Sequence, residues 1–423
     1  MREMKDSGIE WIGNIPNGWH IEKGKYCFTN KKEIPGIYSG KYKRLSLTLR
    51  GVVDRSKEDA EGLQPKDFNT YQLLRENELV FKLIDLQNIS TSRVGLSYST
   101  GLVSPAYIIL CANEKIVPSY AEKFYLMMWH RKIFNMLGDN GVRSNLGVSD
   151  LLNVFVSVPP ICEQKMIADF LDSKCSEIDA ISADIQKEIE ILEQYKRSVI
   201  TEAVTKGLNP DAEMKDSGVA WCPQIPSHWQ YSNPKGLFGL RTDRAFRNDR
   251  QLTASQKYGI VYQDEYMEKT GNKVVTVTKD FSILKHVEPD DFVISMRSFQ
   301  GGLEYSDKRG CISSAYVMLI PNKEFVYAPF YRWFFKSSKY INALQSTSNL
   351  VRDGQAMRYA NFVEVPLFIV PIEEQKAIAS YLDEKIEKVN SILAEKKKQL
   401  EILSNYKKSL IYEYVTGKKE VLI

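Results

Sequence analysis

The segment PPICEQKMIADFLDSKCSEIDAISADIQKEIEILEQYKRSVITEAVTKG (Pro159–Gly207) is written a second time as VPIEEQKAIASYLDEKIEKVNSILAEKKKQLEILSNYKKSLIYEYVTGK (Val370–Lys418). The two copies align without a gap and agree at roughly half of their positions, a strong internal repeat. A shorter sentence is duplicated as well: MKDSGIEWIGNIPNGW (Met4–Trp19) returns as MKDSGVAWCPQIPSHW (Met214–Trp229). The chain of 423 residues is therefore a tandem repeat of loop, globular block and long segment.

Both long segments lack Pro after their first residues, carry Gly only at the end, and are rich in Glu, Lys, Gln, Ile and Leu. Such composition favours helix, and the terminal Gly supplies the left-handed stop. In the first copy the apolar positions run Ile178, Ile181, Ile185, Ile189, Leu192, Tyr195 and Val199. In the second they run Val389, Ile392, Leu400, Leu403, Tyr406 and Leu410, with Lys396 standing where the first copy has Ile185. Steps of three and four place these residues on one stripe per helix, the seam of a coiled coil. Two arrangements fit: each helix packs on its own block, or the two pair with each other. The matched stripes favour pairing.

The blocks between have another texture. β-Branched and aromatic runs such as VVTVTKDFSIL and AYIILCA alternate with short helical candidates at Tyr120–Leu137 and Tyr327–Gln345. Mixed α/β globules follow from that alternation. GLVSPAYIIL (Gly101–Leu110) answers GCISSAYVML (Gly310–Leu319), so a common skeleton survives in blocks that have otherwise diverged. The expected fold class is α+β: two globular α/β domains joined by two long helices in an antiparallel coiled coil, a pseudo-two-fold tandem repeat. The expected boundaries are 1–158 and 208–369 for the blocks, 159–207 and 370–423 for the helices.

The repeated leading loop has Gly and Pro as punctuation and two Trp residues, so it reads as an ordered loop packed by its aromatics. Its Trp pairs (Trp11 and Trp19, Trp221 and Trp229) are expected to pin each block to a helix.

No apolar run approaches the ~18 residues of a membrane span, and MREMKDSG lacks the apolar core of a signal peptide, so cytoplasmic residence is expected. Six scattered cysteines without a C-x-x-C read as reduced packing thiols, and four dispersed histidines make no zinc site. The net charge is +4, but the basic excess sits in the two blocks while residues 160–207 are acidic. That distribution is compatible with nucleic acid at the blocks and a different partner at the connector.

Catalytic patterns are missing. There is no G-x-x-x-x-G-K-[ST] loop for ATP. SPAY (Ser104–Tyr107) only echoes the short proline motif of adenine methyltransferases, and EPDDF (Glu288–Phe292) lacks the acid-x-Lys partner of a nuclease. No catalytic residue and no metal ligand is expected on this chain.

Polar and basic residues in loop-like stretches are the alternative. In the first block these are Ser46, Thr48, Arg50, Ser92, Arg93, Arg143 and Asn145. In the second they are Gln256, Lys257, Arg297, Ser298, Gln300, Arg352, Gln355 and Arg358. Arg pairs with guanine edges, Gln and Asn with adenine, and Ser and Lys grip phosphates.

With the leading loop, the EQ helices (PPICEQKMIADFLD and PIEEQKAIASYLD) and SMRSFQGGLEY followed by GCISSAY, the chain resembles the specificity subunit of type I restriction-modification systems over essentially its whole length. The resemblance implies two target recognition domains, each reading one half of a split double-stranded DNA sequence. It implies an antiparallel coiled coil that spaces them and docks two modification (methyltransferase) subunits, joined by restriction subunits in the full complex. S-adenosylmethionine, ATP and Mg would then belong to partner chains, and this chain would be non-catalytic. VFKLIDLQNISTSRVGLSY in the first block departs from the MRSFQGG pattern, which leaves its base-reading loop less securely placed.

Geometry points the same way. A helix of roughly 45 residues spans at most ~65 Å, so paired helices would act as a ruler between two readers. Two rivals remain: an enzyme with drifted motifs, which would transfer methyl groups alone, and a protein-binding scaffold, which would show no salt-dependent DNA binding.

Overall fold

The computed structural model describes residues 2–58, 67–87, 89–137, 145–277, 280–347 and 357–421. The chain forms two compact units. Unit 1 comprises Met1–Gln186 with Lys398–Ile423, and unit 2 comprises Lys187–Lys397. The long helices run over Ile161–Lys206 and Ile372–Val415, so each is divided between the units rather than standing apart from the blocks.

In unit 1 two four-stranded sheets enclose the core. One runs in the order Gly51–Arg55, Arg44–Thr48, Gly101–Val103, Gln72–Leu74; the other runs Phe28–Asn30, Ile108–Ala112, Leu79–Phe81, Val94–Leu96. All neighbours are antiparallel except Gly101–Val103 beside Arg44–Thr48. The helix Pro118–His130 buries Tyr120, Phe124, Tyr125 and Met128 against the second sheet, where Tyr125 meets Phe81 edge-on at 4.9 Å. Unit 2 keeps one such sheet, in the order Phe238–Arg241, Val317–Pro321, Phe292–Ile294, Glu304–Tyr305. Its core is more aromatic, with Phe238 touching Phe292, Tyr331, Phe335 and Phe362.

The repeated loop folds alike in both units. Met4–Asp6 pairs with Asn14–Pro16, and Met214–Asp216 pairs with Gln224–Pro226. Between them Asp6 and Asp216 accept the backbone N–H of Gly8 and Gly218, two residues on, a turn that Asp-Ser-Gly is built to make. The chain then enters its block on a strand that pairs with the strand by which it leaves: His20–Lys23 with Phe155–Val158, and Gln230–Ser232 with Leu367–Ile369.

Beside that strand pair, the EQ motif finds its purpose. Trp19 is buried, and its Nε1–H donates to Glu163 at 3.0 Å; Trp229 is buried, and its Nε1–H donates to Glu374 at 3.1 Å. Gln164 is wholly buried, donating to Lys115 O and Pro159 O while accepting from Val117 N–H. Gln375 repeats this with Phe325 O, Val370 O and Tyr327 N–H. The other helix ends at the same place: Gly417 (φ +70°) lies under Pro16 and Trp19, and Gly207 (φ +75°) beside Trp229 and Glu374. The first Trp of each pair faces the block instead. Trp11 packs on Phe124, while Trp221 packs on Phe334 and Phe368 and donates to Pro366 O.

Within each unit the helix segments run antiparallel. In unit 1 Asp179 bonds Lys407 at 2.6 Å and Phe170 meets Tyr414 at 4.6 Å. In unit 2 Glu188 pairs with Lys396 at 2.5 Å and Asn390 accepts from Lys196 at 2.6 Å. Leu171, Cys175, Ile178, Ser182, Ile185, Ile189, Leu192 and Lys196 form the inward stripe of the first helix. Ile386, Val389, Leu393, Lys396, Leu400, Leu403, Lys407 and Leu410 form that of the second. Both keep unbroken steps of four and three, the heptad rhythm.

Two expected seam residues are corrected. Ile181 is 44% exposed and Ile392 is 43% exposed, each one residue short of the seam positions Ser182 and Leu393. Tyr195 and Tyr406, also read onto the stripe, are exposed. The spacing of apolar letters pointed to the stripe, but the heptad phase, set by the partner helix, chose the neighbours.

Candidate nucleic-acid interface

In unit 2 the hairpin Leu252–Ser255/Gly259–Tyr262 and the turn after Phe292–Ile294 come together. Gln256 at the hairpin tip donates from Nε2 to Arg297 O at 3.2 Å, and a Cβ on Gly301 would lie 3.0 Å from that same Nε2. A side chain there would push the Gln256 amide aside by a few tenths of an ångström. The two loops present one exposed group of Gln256, Lys257, Arg297 and Gln300, donors and cations beside the exposed Met296. Lys257 Nζ lies 5.0 Å from the Tyr258 ring. Ser298 is corrected: it is 1% exposed and its Oγ accepts the Ser295 N–H, so it shapes the turn from inside. Arg358 is exposed at the start of the short helix Tyr359–Glu364, while Arg352 and Gln355 lie outside the described residues.

In unit 1 the matching hairpin is Arg44–Thr48/Gly51–Arg55. Thr48 Oγ1 accepts the Arg50 N–H and donates to Gly51 O, fixing a tight tip on which Arg50 is exposed. Ser46 is half-buried within the strand. Asn145 is exposed and accepts the Asp85 N–H; Arg143 lies outside the described residues.

Ser92 and Arg93 are corrected. Arg93 is 1% exposed, donates to Asp85 O at 2.8 Å, and burial pulls its pKa down; Ser92 is buried and bonds the backbone of Val94. A guanidinium buried in this way, with two of its donors on interior carbonyls, presents none of them at the surface for a base edge. Both hold the loop in place instead of reading from it.

The near-motifs are structural in place. Ser104 O and Tyr107 O accept Gln72 Nε2, and Asp291 receives Arg241 at 2.6 Å although burial raises its carboxyl. Beside the hairpin tip of unit 1 lies a cleft of about 600 Å³ lined by Leu49, Trp129, His130, Lys407 and Lys408 among others. Burial and the two lysines push His130 down to about 4. Nothing in the sequence flagged that cleft, because its walls come from five separate stretches.

Residues 226–402 match the family model described as the type I restriction modification DNA specificity domain. A relative from Methanocaldococcus jannaschii, the putative type I restriction enzyme MjaX specificity subunit, is 23% identical over 97% of this chain and 96% of its own. The chain is thus similar to a type I specificity subunit along nearly its whole length. A second specificity subunit from the same organism, MjaVIII, is 23% identical over 64% of this chain and 63% of its own. Among solved structures, a chain from a type I R-M system described for its complex assembly and conformational transition superposes with a TM-score of 0.66. That match has 12% identity and covers 96% of this chain and 99% of that chain, a likeness of fold.

Proposed function

We propose that this chain is the DNA-recognition subunit of a type I restriction-modification complex. Each unit reads one half of a bipartite double-stranded target, and the paired helices set the unread gap. The chain makes and breaks no bonds; S-adenosylmethionine, ATP and Mg serve partner subunits, and the assembly works on DNA in the cytoplasm. The observation that carries this reading is an exposed polar hairpin tip, Arg50 in unit 1 and Gln256 with Lys257 in unit 2, in matching places on two blocks each tied to the same two helices.

The docking of two modification subunits rests on the helix surfaces. Off the seam, unit 1 exposes Ile181, Ile402 and Tyr406; unit 2 exposes Ile392, Ile191 and Tyr195. These are the same residue types at equivalent places of the repeat, each with a lysine beside its tyrosine: Lys174 near Tyr406 and Lys385 near Tyr195. Two like patches suit two copies of one partner. No helix among the described residues is long and apolar enough to cross a membrane.

The test is to add one heptad to each long helix and map methylated bases in a cell carrying the variant complex. About 10 Å of added rod corresponds to about three base pairs, so the recognised gap grows by that amount with both half-sites unaltered. An unchanged gap, or methyl transfer to DNA by the purified chain alone, overturns the reading.

A further inference from the structure

Each block carries one more loop in the same topological slot, and neither loop was among the sequence candidates. In unit 1 it joins Phe28–Asn30 to the hairpin that starts at Arg44; in unit 2 it joins Phe238–Arg241 to the hairpin that starts at Leu252. The preceding strand pairs antiparallel with Ile108–Ala112 in one unit and Val317–Pro321 in the other, so the slots correspond.

Both loops push apolar side chains into water. Ile37 is 82% exposed and Tyr38 58%, on the turn Gly36–Lys41; Phe246 is 49% exposed. Neither tip is slack. Tyr38 N–H bonds Pro35 O, Ser39 Oγ–H bonds Asn69, and Lys57 Nζ reaches Ser39 O at 3.0 Å. Phe246 N–H bonds Asp249 at 2.8 Å, and its ring stands 4.3 Å from the buried His286, which Asp249 and Glu288 hold from both nitrogens. Each tip has a cation beside its ring: Lys41 Nζ is 5.1 Å from the Tyr38 ring, and Arg309, which also pairs with Glu288 at 3.5 Å, is 5.8 Å from the Phe246 ring, with exposed Lys32 and Arg247 nearby in sequence.

A tethered apolar tip flanked by cations suits a surface that is apolar in the middle and anionic on both sides. A DNA groove is such a surface, with sugars and base edges between two rows of phosphate, and apolar wedges among basic residues are how proteins enter it. We infer that these loops are a second DNA contact in each unit, with Ile37 and Tyr38 or Phe246 seated in the groove and the flanking Lys and Arg on its phosphates. The inference rests on the DNA-recognition reading, but it assigns contacts outside the base-reading candidates.

The test uses the complex purified from its host through a tag on this chain, with whatever subunits co-elute. The probes are a 30-base-pair duplex carrying the target found by methylation mapping, and a mixed-sequence duplex of equal length. Phe246→Ser, and Ile37→Ser with Tyr38→Ser, are expected to weaken target binding about tenfold at unchanged salt slope, and Phe246→Leu to restore most of it. Lys41→Gln with Arg247→Gln is expected to flatten the plot of log affinity against log salt by up to about two, near one per phosphate lost. All these residues are exposed, so the melting temperature should stay level. Variants that bind and respond to salt like the parent overturn the inference, as does loss of co-eluting subunits, which would make the loops a protein interface. A parent complex that prefers neither duplex overturns the recognition reading itself.

Discussion

In unit 1 the block is tied to its helix by Lys123, held between Glu122 and Asp172; in unit 2 the equivalent carboxylate, Asp383, takes Arg332 and the Trp333 N–H instead. Asp172 and Asp383 occupy matching places in the repeat, while the residues that reach them come from different steps of unlike helices. The same contrast runs throughout. Loop, EQ motif and helix-ending glycine are duplicated to the hydrogen bond, whereas sheet count, aromatic content and exposed loops differ. Parts that meet the helices are held by a shared geometry. Exposed loops away from the helices are free to change as long as the core still closes.

The largest effect that sharpens this comparison is at the buried glutamines. Gln164→Leu and Gln375→Leu each strand one backbone N–H and two carbonyls, so each should cost about 3–4 kcal/mol, by the same amount in either unit. Hydrogen exchange in denaturant, resolved by unit, would show it; a loss in one unit alone would break the equivalence.

Next comes a difference. His130 has its folded pKa below the ordinary value of about 6.5, so the folded state disfavours the proton. Its contribution is complete above pH 6.5 and is lost as pH falls towards 4, by roughly 2–3 kcal/mol. Unit 1 should therefore weaken across that window, and His130→Phe should flatten the response.

A smaller effect separates the two helix ends. A Cβ at Gly417 would come within 2.3 Å of Pro16 Cδ on a ring that cannot turn aside. At Gly207 the obstacle is the mobile carboxylate of Glu374, 2.8 Å away. Both substitutions pay the left-handed strain, so Gly417→Ala should cost about 2–3 kcal/mol and Gly207→Ala about 1 kcal/mol. Thermal melts of the two variants would rank them.

The smallest lies on the seam. Lys396→Ile should stabilise unit 2 by about 1 kcal/mol, because the seam gains apolar contact and the exposed Glu188 pair that is lost is weak. A destabilised variant would mean that the lysine has a second role there.

Much of this architecture was legible because helices announce themselves. Glycine stops, proline-free runs and a repeated period place both helix starts within two residues and the first helix's end within one, whereas the second, bounded at 423, stops at Val415. The seam was harder. Ile181 and Ile392 lie one residue from it, and an apolar letter beside a stripe looks like part of the stripe until the partner fixes the phase. The block surfaces were least legible. Arg93, Ser92 and Ser298 look like surface readers, yet each satisfies backbone groups in the interior, a role that polar residues in loops share with recognition. The exposed tips at Ile37 and Phe246 drew no sequence reading, since a large apolar residue in a loop carries no signal of its exposure.

The interleaving of the units has a consequence for synthesis. Unit 2 is one uninterrupted stretch, whereas unit 1 needs residues 398–421 to cover Ile167, Leu171 and Ile178. On the ribosome, the block made first must wait with an uncovered apolar flank until the last turns of the chain emerge, so the later-born half matures before the older one.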